Sequence, residues 1–410
     1  MGCAWRPDLT IRPTMMREKT SAIRPRVVVS TSGKFHYIHA AQMLHERGLL
    51  ERLFAGYPRA KLGWSDFPVD RVTTYPYWRV PYVAHDLLGQ PLTGFHFLLE
   101  FLSSSCFDRF VAKRLPNADV VMAMSSAGVK TGAQAKRKGM KYVCDRPCSH
   151  IRTQYELIQR EYDDHGIRRQ AVDPRIIARE EAEYAQADLI MTPSSFARNS
   201  FLERGFAPER VACVPLGVNL KDFFPEGKPR DDEFRIAFAG QISYRKGIPH
   251  LLKAFDKLDV PGKQLHMVGS VRKDIRPLIA QYEGRPDVHI RGKVNVADLR
   301  QLFSTSHLLV LPSVEDGFGM VLAEAMACGC PVLATTNTGA FDLIDEGDEG
   351  FLVPIRDPDS LCDKMTLLAN DRARQAQMSE KSLARVQRLA GWQSYGDQLA
   401  EALTKLWKES

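Results

Sequence analysis

The chain has 410 residues, more than the ~250–300 that one hydrophobic core usually serves, so two domains are expected. It is 44% hydrophobic, 26% charged and 9% aromatic, which excludes a disordered or fibrous protein. The sequence contains no apolar run of the ~18 residues that a membrane span requires. Residues 1–24 are basic and lack an apolar segment, which predicts a flexible tail rather than a secretory signal.

The net charge is +7, and six basic and two acidic side chains within residues 1–26 account for more than half of it. The remaining chain is only mildly basic, so nucleic acid is not expected as a partner. Phosphorylated ligands or an anionic membrane surface remain compatible with this charge. The eight cysteines form no Cys-x-x-Cys pair, which argues against a zinc site and favours free thiols in the cytoplasm. We therefore expect a cytoplasmic protein, with contact to the inner face of a membrane left open.

Short β-branched runs alternate with helical patterns along the first half, which predicts a parallel sheet joined by helices. The predicted strands of this half are Arg26–Ser30, Asp119–Met124, Lys141–Cys144 and Leu189–Met191. A helix is predicted between the first two of them, ending near Gly48. The turn-rich passage from Val214 to Asp232 then predicts a domain boundary.

The same alternation resumes after this boundary. The predicted strands are Phe234–Ala239, Leu265–Val268, Val288–Ile290, Leu308–Leu311 and Pro331–Ala334, with a helix over Ile248–Asp256. The pattern predicts an α/β protein with two Rossmann-like, doubly wound domains facing across a cleft, where ligands are expected to bind. The sequence lacks Gly-x-Gly-x-x-Gly after the first strand and lacks a Walker phosphate loop. Dinucleotide oxidoreductases and Walker-type ATPases are therefore disfavoured.

The segment from Leu311 to Val332 carries the densest chemical signal. It consists of a strand, a loop rich in acidic residues and glycines (residues 312–319, the acidic glycine loop) and a helix. Gly317 and Gly319 let the backbone approach a ligand closely. The amides of Phe318, Gly319 and Met320 then open a helix, whose N-terminus attracts phosphate. Glu324 lies on the same helix, outside its apolar face, where a carboxylate is suited to accept hydrogen bonds from ribose hydroxyls.

This segment resembles the signature of the retaining family 4 glycosyltransferases (glycosyl transferases group 1), which have the GT-B fold. The family places an acidic residue eight positions before the glutamate that corresponds to Glu324. Asp316 stands there in this chain, where the family usually has Glu, and Glu315 is its neighbour. The resemblance implies that one of these two acids contacts the donor sugar, and it leaves open which one.

A second element, Phe238–Gly247, is similar to the family's strand followed by Gly-Arg, a loop and Lys-Gly. The resemblance places Lys246 on the diphosphate of the donor, with Gly240 and Gln241 lining the donor site. Gln241 occupies the position of the family's arginine, so Arg245 is expected to supply the missing charge. A cation at this point stabilises the leaving diphosphate, because negative charge grows on it as the glycosidic bond breaks.

The likeness covers roughly residues 180–407 well and residues 25–150 weakly. Val288–Val294 resembles the strand and turn beside the nucleotide base, which makes Ile290 and Val294 candidates for the donor site. Gly391–Trp407 resembles a terminal helix that returns to the first domain. The expected organisation is an acceptor domain over residues 25–213, a donor domain over residues 214–388 and a terminal helix over residues 389–410.

The first domain offers several polar candidates near the reacting carbon. Asp145 and His150 follow a predicted strand, and either is a candidate catalytic residue. Gly33, Lys34 and His36 follow the first strand and are candidates for the acceptor or diphosphate loop, although a simple turn explains the first two equally well.

Two further stretches have competing explanations. Asp357-Pro358-Asp359 matches an Asp-x-Asp metal motif but precedes a helical pattern, so a helix start is predicted and no metal is expected. Leu87–Leu102 is apolar but interrupted, and is predicted to be a core helix or else a membrane-facing or acceptor-facing helix.

The resemblance implies an enzyme that transfers a sugar from a nucleotide diphosphate-sugar, such as a UDP-sugar, to an acceptor hydroxyl with retention of configuration. The acceptor would be a glycan, as in polysaccharide synthesis, or a lipid-linked saccharide. The nucleotide-sugar is a co-substrate, and no cofactor is expected. Two alternatives stay open, a nucleotide-sugar epimerase of the same fold and a binding scaffold without turnover.

Overall fold

The computed structural model describes residues 24–61, 68–87, 93–389 and 391–409. The predicted N-terminal tail, apart from its last residue, lies outside the described residues, as do residues 88–92 of the interrupted apolar stretch. The remainder forms two parallel sheets, one in each half of the chain, with helices packed against them. The predicted α/β architecture of two Rossmann-like domains is therefore confirmed.

The first domain contains a seven-stranded parallel sheet in the order β3-β2-β1-β4-β5-β6-β7. Its strands are β1 (Val27–Thr31), β2 (Leu50–Ala55), β3 (Val72–Thr74), β4 (Val120–Met124), β5 (Lys141–Asp145), β6 (Leu189–Thr192) and β7 (Val211–Cys213). Its helices are α1 (Tyr37–Glu46), α2 (Arg79–Leu87), α3 (Thr93–Arg114), α4 (Val129–Arg137), α5 (Ile151–Asp164), α6 (Pro174–Gln186) and α7 (Ser195–Leu202).

The second domain contains a six-stranded parallel sheet in the order β10-β9-β8-β11-β12-β13. Its strands are β8 (Phe234–Ala239), β9 (Lys263–Val268), β10 (Val288–Arg291), β11 (Leu308–Leu311), β12 (Val332–Thr335) and β13 (Gly350–Val353). The helices are α8 (Ile248–Lys257), α9 (Arg276–Ile279), α10 (Val296–Ser304), α11 (Met320–Ala327), α12 (Ala340–Leu343), α13 (Pro358–Asn370), α14 (Arg372–Arg388) and α15 (Gly391–Lys408).

The central strands are buried along their whole length, since helices cover both faces of a parallel sheet. This explains why β1 and β4 are uninterrupted apolar or small-residue runs that the sequence revealed. The prediction missed β2, where Glu51 and Arg52 interrupt the apolar pattern at half-buried positions. It also missed β3 and β7, which have only three residues each, and β13.

The helix α15 completes the first domain although it follows the second in sequence. It packs against α1, with Leu399 and Leu403 buried in the same apolar cluster as Leu44. Arg47 at the end of α1 forms an ion pair of 2.7 Å with Asp397. The last helix therefore ties the end of the chain to the first sheet.

The Asp357-Pro358-Asp359 motif starts a helix, as the sequence predicted. Asp357 is the N-cap of α13, and its Oδ1 accepts the backbone N–H of Ser360 at 3.0 Å. Within the described residues, no group of three or more His, Cys, Asp or Glu side chains could hold a metal ion. None of the helices in the same part of the chain is long and apolar enough to cross a membrane.

Candidate functional site

The two domains meet through loops that follow the carboxyl ends of their strands. The loop after β5 lies against the loop after β11, where a Cβ on Gly317 would stand 1.9 Å from the Pro147 carbonyl oxygen. Ser194, after β6, donates its hydroxyl to the carbonyl of Gly317. The strand ends of both sheets therefore face each other, which is where ligands bind in this type of fold.

Gly319 allows the acidic glycine loop to turn into α11. Its φ of 74° lies in the left-handed region, and an added Cβ would stand 2.6 Å from a Leu311 methyl group. No side chain caps the first turn of α11, which begins at Met320. The amides that the sequence assigned to a phosphate are thus at a helix N-terminus without a competing side-chain acceptor. Phe318 between the glycines is buried.

Glu324 lies one turn into α11 and is half-buried. Burial raises the pKa of its carboxyl to about 7. A carboxylate in this setting gains from partners that donate hydrogen bonds, because they replace the water that burial removed.

Lys246 and Asp316 form an ion pair, and both side chains are largely buried. Lys246 lies on the loop after β8, and Asp316 lies on the acidic glycine loop. The two loops come into contact at Gly247. The φ of Gly247 is 66°, and a Cβ there would stand 1.8 Å from the Pro312 carbonyl oxygen. The predicted diphosphate lysine therefore lies beside the acid that the family signature places eight residues before Glu324.

Glu315 faces the first domain, and its expected contact with the donor stays a prediction. Its side chain is fully buried between the domains. It accepts hydrogen bonds from the Ser149 N–H at 3.1 Å, the Ser149 hydroxyl at 2.8 Å and Gln154 Nε2 at 3.0 Å. The fourth donor to this carboxylate is Arg245 Nε, at 2.9 Å. Burial alone would raise the pKa of Glu315, but the Arg245 charge and the hydrogen bonds outweigh it and lower the pKa to about 2.

Arg245 is engaged at the same junction, and its expected catalytic role stays a prediction. Its guanidinium pairs with the Glu315 carboxylate and lies 3.4 Å from the sulfur of Cys148. Adjacent residues on an irregular loop point in different directions, so Lys246 and Arg245 serve different partners. Gln241, which replaces the arginine of the family, is exposed, and its neighbour Gly240 has a φ of 148°.

In the first domain, His36 and Asp145 form a buried pair. His36 Nε2 lies 2.8 Å from Asp145 Oδ2, and the Tyr37 hydroxyl donates to the Asp145 carbonyl at 3.1 Å. His36 follows β1 and Asp145 is the last residue of β5, and only β4 separates these two strands in the sheet. Gly33 and Lys34 lie on the same loop as His36, with Gly33 buried and Lys34 exposed.

His150, the other histidine candidate of this domain, starts α5, and its expected action on the reacting carbon stays a prediction. Its Nδ1 accepts the backbone N–H of Arg152 at 3.2 Å, so it caps α5. Its ring packs between Tyr184, Phe201 and Phe206. Burial, with the neighbouring arginine charges, lowers its pKa to about 3, so the ring is neutral.

The two residues expected beside the base have different surroundings. Ile290 lines a cavity of about 560 Å³ together with His266, Arg285 and His289. Val294 is partly buried against the core of the second domain.

Sequence patterns missed a second buried carboxylate between the domains. Glu161 on α5 is fully buried and lies 2.8 Å from His250 Nε2 and 2.9 Å from Arg356 Nε, both in the second domain. Asp342 similarly accepts the Ser195 N–H at 2.7 Å. Glu161 precedes its partners by 89 and 195 residues, and no local signal links residues so far apart in sequence.

Comparison with known proteins gives the class of the second domain. Residues 220–385 match the family model described as "Glycosyl transferases group 1". A D-inositol 3-phosphate glycosyltransferase of Pseudarthrobacter chlorophenolicus is 31% identical over 222 residues, which are 50% of this chain and 53% of that protein. The segments that match this chain cover between 35% and 60% of the length of these curated relatives.

Solved structures match almost the whole chain. The sucrose-phosphate synthase of Thermosynechococcus elongatus has a TM-score of 0.72 at 20% identity, covering 94% of this chain and all of that one. HepE of Anabaena in complex with UDP has a TM-score of 0.69 at 17% identity and covers 93% of this chain and all of that one. The fold is therefore GT-B. The match of residues 220–385 to the glycosyl transferases group 1 model agrees with the sequence motifs.

Proposed function

We propose that this protein is a glycosyltransferase that moves a sugar from a nucleotide diphosphate-sugar to an acceptor hydroxyl, with retention of configuration. The observation that carries the proposal is the contact between Lys246 and Asp316. It places a cation beside the glycine loop that opens α11, within the part of the chain that matches the family model.

The donor binds to the second domain in this proposal. The amides at the start of α11 and the Lys246 ammonium hold the diphosphate, and Lys246 exchanges its ion pair with Asp316 for the phosphate oxygens. Asp316, once released, accepts hydrogen bonds from hydroxyls of the donor sugar. Glu324 accepts those of the ribose, whose hydroxyl groups offset the desolvation that raises the pKa of this carboxyl.

The reaction proceeds on the front side of the sugar. The bond from the anomeric carbon to the diphosphate oxygen breaks, and the acceptor oxygen bonds to the same carbon on the same face. The acceptor proton passes to the departing phosphate oxygen. Lys246 and the helix amides stabilise the charge that grows on the leaving group, which lowers the barrier more than it strengthens ground-state binding.

The first domain supplies the acceptor side in this proposal. Residues 25–213 act as the acceptor domain, residues 214–388 as the donor domain and residues 389–410 as the returning helix. The His36–Asp145 pair lies at the carboxyl ends of the strands that face the cleft, which supports a role beside the reacting carbon. We propose that the acceptor is a glycan or a lipid-linked saccharide, and that the enzyme acts at the cytoplasmic face of a membrane.

UDP is the nucleotide to test first, because UDP-bound HepE shares the fold. We expect UDP and its sugars to raise the melting temperature of the full chain, since a ligand that binds only the folded state stabilises it. The Glu324→Ala variant should lose this response, whereas Glu346→Ala, at a half-exposed glutamate of the same domain, should keep it. No response to any nucleoside diphosphate would refute the proposal.

Turnover separates the remaining alternatives. Release of UDP only when an acceptor is present supports a transferase. Consumption of the donor without an acceptor would indicate an epimerase, and binding without release across an acceptor panel would indicate a scaffold. The comparisons offer no support for an epimerase.

A further inference from the structure

Exposed apolar side chains are concentrated in one part of the first domain. Among the described residues, ten large apolar side chains are exposed, and six of them lie between residues 35 and 98. These six, which we call the aromatic belt, are Phe35 (62% exposed), Tyr77 (73%), Trp78 (37%), Val80 (53%), Phe95 (46%) and Leu98 (39%). They belong to the loop after β1, the start of α2 and the start of α3.

A chain of contacts connects these three places. Lys34, beside Phe35, lies 5.8 Å above the Tyr57 ring. Arg79 lies over the same ring at 5.6 Å and over Tyr82 at 4.8 Å. Tyr82 in turn stacks on His96 of α3 at 4.8 Å. These contacts place the first turns of α2 and α3 next to the loop that carries Gly33 and Lys34, on the proposed acceptor side of the cleft.

The start of α3 departs from the burial expected of a core helix. Phe95 and Leu98 are exposed in its first turns, whereas Phe107 and Val111 further along the same helix are buried. Leu99, in the same turns, is buried, so the first part of α3 presents some apolar side chains outward and contributes others to the core.

Two cations and one buried carboxyl lie next to the belt. Burial raises the pKa of the Glu100 carboxyl on α3 to about 7, and the nearby Arg79 charge opposes this rise. Lys34 is exposed, and the Arg79 guanidinium is stacked between rings. Its buried Nε–H has no hydrogen-bond partner among the residues that the structure describes. Tyrosine and tryptophan side chains favour the boundary between lipid and water, because one end is polar and the rest apolar. Lysine and arginine beside them favour negatively charged headgroups.

We infer that the aromatic belt docks onto the headgroup region of an anionic lipid bilayer. Docking there would hold the loop at Lys34 next to the membrane, so a saccharide on a lipid carrier would reach the cleft without leaving the bilayer. That consequence rests on the proposed function, whereas the docking itself does not. Aromatic side chains insert between headgroups, and the cations contact phosphate oxygens.

The test is co-sedimentation of the full chain with vesicles of phosphatidylcholine alone or with one third phosphatidylglycerol. We expect binding to the anionic vesicles, weaker binding at high salt and little binding to the neutral ones. Tyr77→Ser and Phe95→Ser should each weaken binding several-fold, and together by about tenfold or more. The matched control is Leu220→Ser with Val296→Ser, at exposed apolar positions of the second domain (38% and 46%), which should bind as the unaltered chain does.

The belt variants are chosen at exposed positions so that they fold, and their melting temperatures and UDP responses should equal those of the unaltered chain. Equal vesicle binding by the belt and control variants would overturn the inference, as would no binding to anionic vesicles, which would point to a protein partner. Equal binding to both vesicle types would overturn the role of charge. Because nucleotide binding is measured without vesicles, failure of the proposed function is distinguished from failure of docking.

Discussion

Replacing Glu315 by Gln should weaken the junction between the domains. The carboxylate is fully buried and accepts four hydrogen bonds, from Arg245, Gln154 and twice from Ser149. Its pKa falls from the usual 4.5 to about 2, which corresponds to about 3 kcal/mol at ~1.4 kcal/mol per pKa unit. All four partners donate, so the amide nitrogen of a glutamine must face a donor. We therefore expect a loss of about 3 kcal/mol at pH 7.

Thermal unfolding against pH measures this loss. For a domain of ~200 residues, about 3 kcal/mol lowers the melting temperature by roughly 6–12 °C. Because the folded pKa lies below the unfolded one, the stabilisation is complete above about pH 5 and is lost as the pH falls toward 2. The difference between Glu315→Gln and the unaltered chain should thus be constant from pH 8 to 5 and shrink below pH 4.

The matched control is Glu156→Gln on α5, whose side chain is 60% exposed and pairs with Arg204 at 2.6 Å. An exposed pair contributes at most about 1 kcal/mol, so this variant should melt within about 2–4 °C of the unaltered chain. Equal melting temperatures for the two variants at pH 7, or a difference that does not depend on pH, would refute the argument.

Three further predictions concern the donor loops. Gly317→Ala should push the domains apart and weaken UDP-glucose binding, because its Cβ would stand 1.9 Å from a backbone oxygen of the first domain. Gly94→Ala, where an added Cβ has no atom within 4 Å, should bind normally. Lys246→Gln should lower kcat by about 10–1000-fold if its charge acts on the leaving group. Lys253→Gln, at an exposed lysine of the same domain, should leave kcat unchanged. A change in Lys246→Gln that is confined to KM would contradict this role. UDP-glucose affinity should rise as pH increases through about 7, where Glu324 ionises, and level off above it. Glu324→Gln should abolish that rise, and an unchanged profile in this variant would exclude the carboxylate as its source.

The sequence revealed the central strands because their environment dictates their composition. β1, β4 and β11 are covered on both faces, so apolar or small residues fill every position and the run is visible without structural knowledge. β2 escaped because two charged residues sit at half-buried positions, a pattern that also fits a helix. The residues that bring the donor loops together were visible for a related reason, since Gly247 and Gly319 adopt backbone conformations that favour glycine.

Which of two adjacent charged residues faces which partner depends on side-chain direction across an interface. Glu315 and Asp316 are adjacent acids, and composition cannot say which one turns toward Lys246 and which toward the other domain. The partners of Glu315 on the first domain precede it by 161 and 166 residues. Arg245 was expected to compensate for Gln241 because it is a nearby cation, whereas it neutralises Glu315. The spacing of residues along the chain predicts which face of a helix or strand they occupy, but it does not predict contacts between domains.

Successive residues of the acidic glycine loop therefore contact different domains. Glu315 faces the first domain, Asp316 faces Lys246, Gly317 lies against the loop after β5, and Gly319 starts α11. A movement that separates the domains must break the Glu315 contacts and would release the backbone next to the donor lysine. We therefore expect donor binding and domain closure to be coupled through this short segment. For this reason the Gly317 and Glu315 variants should change nucleotide affinity as well as stability.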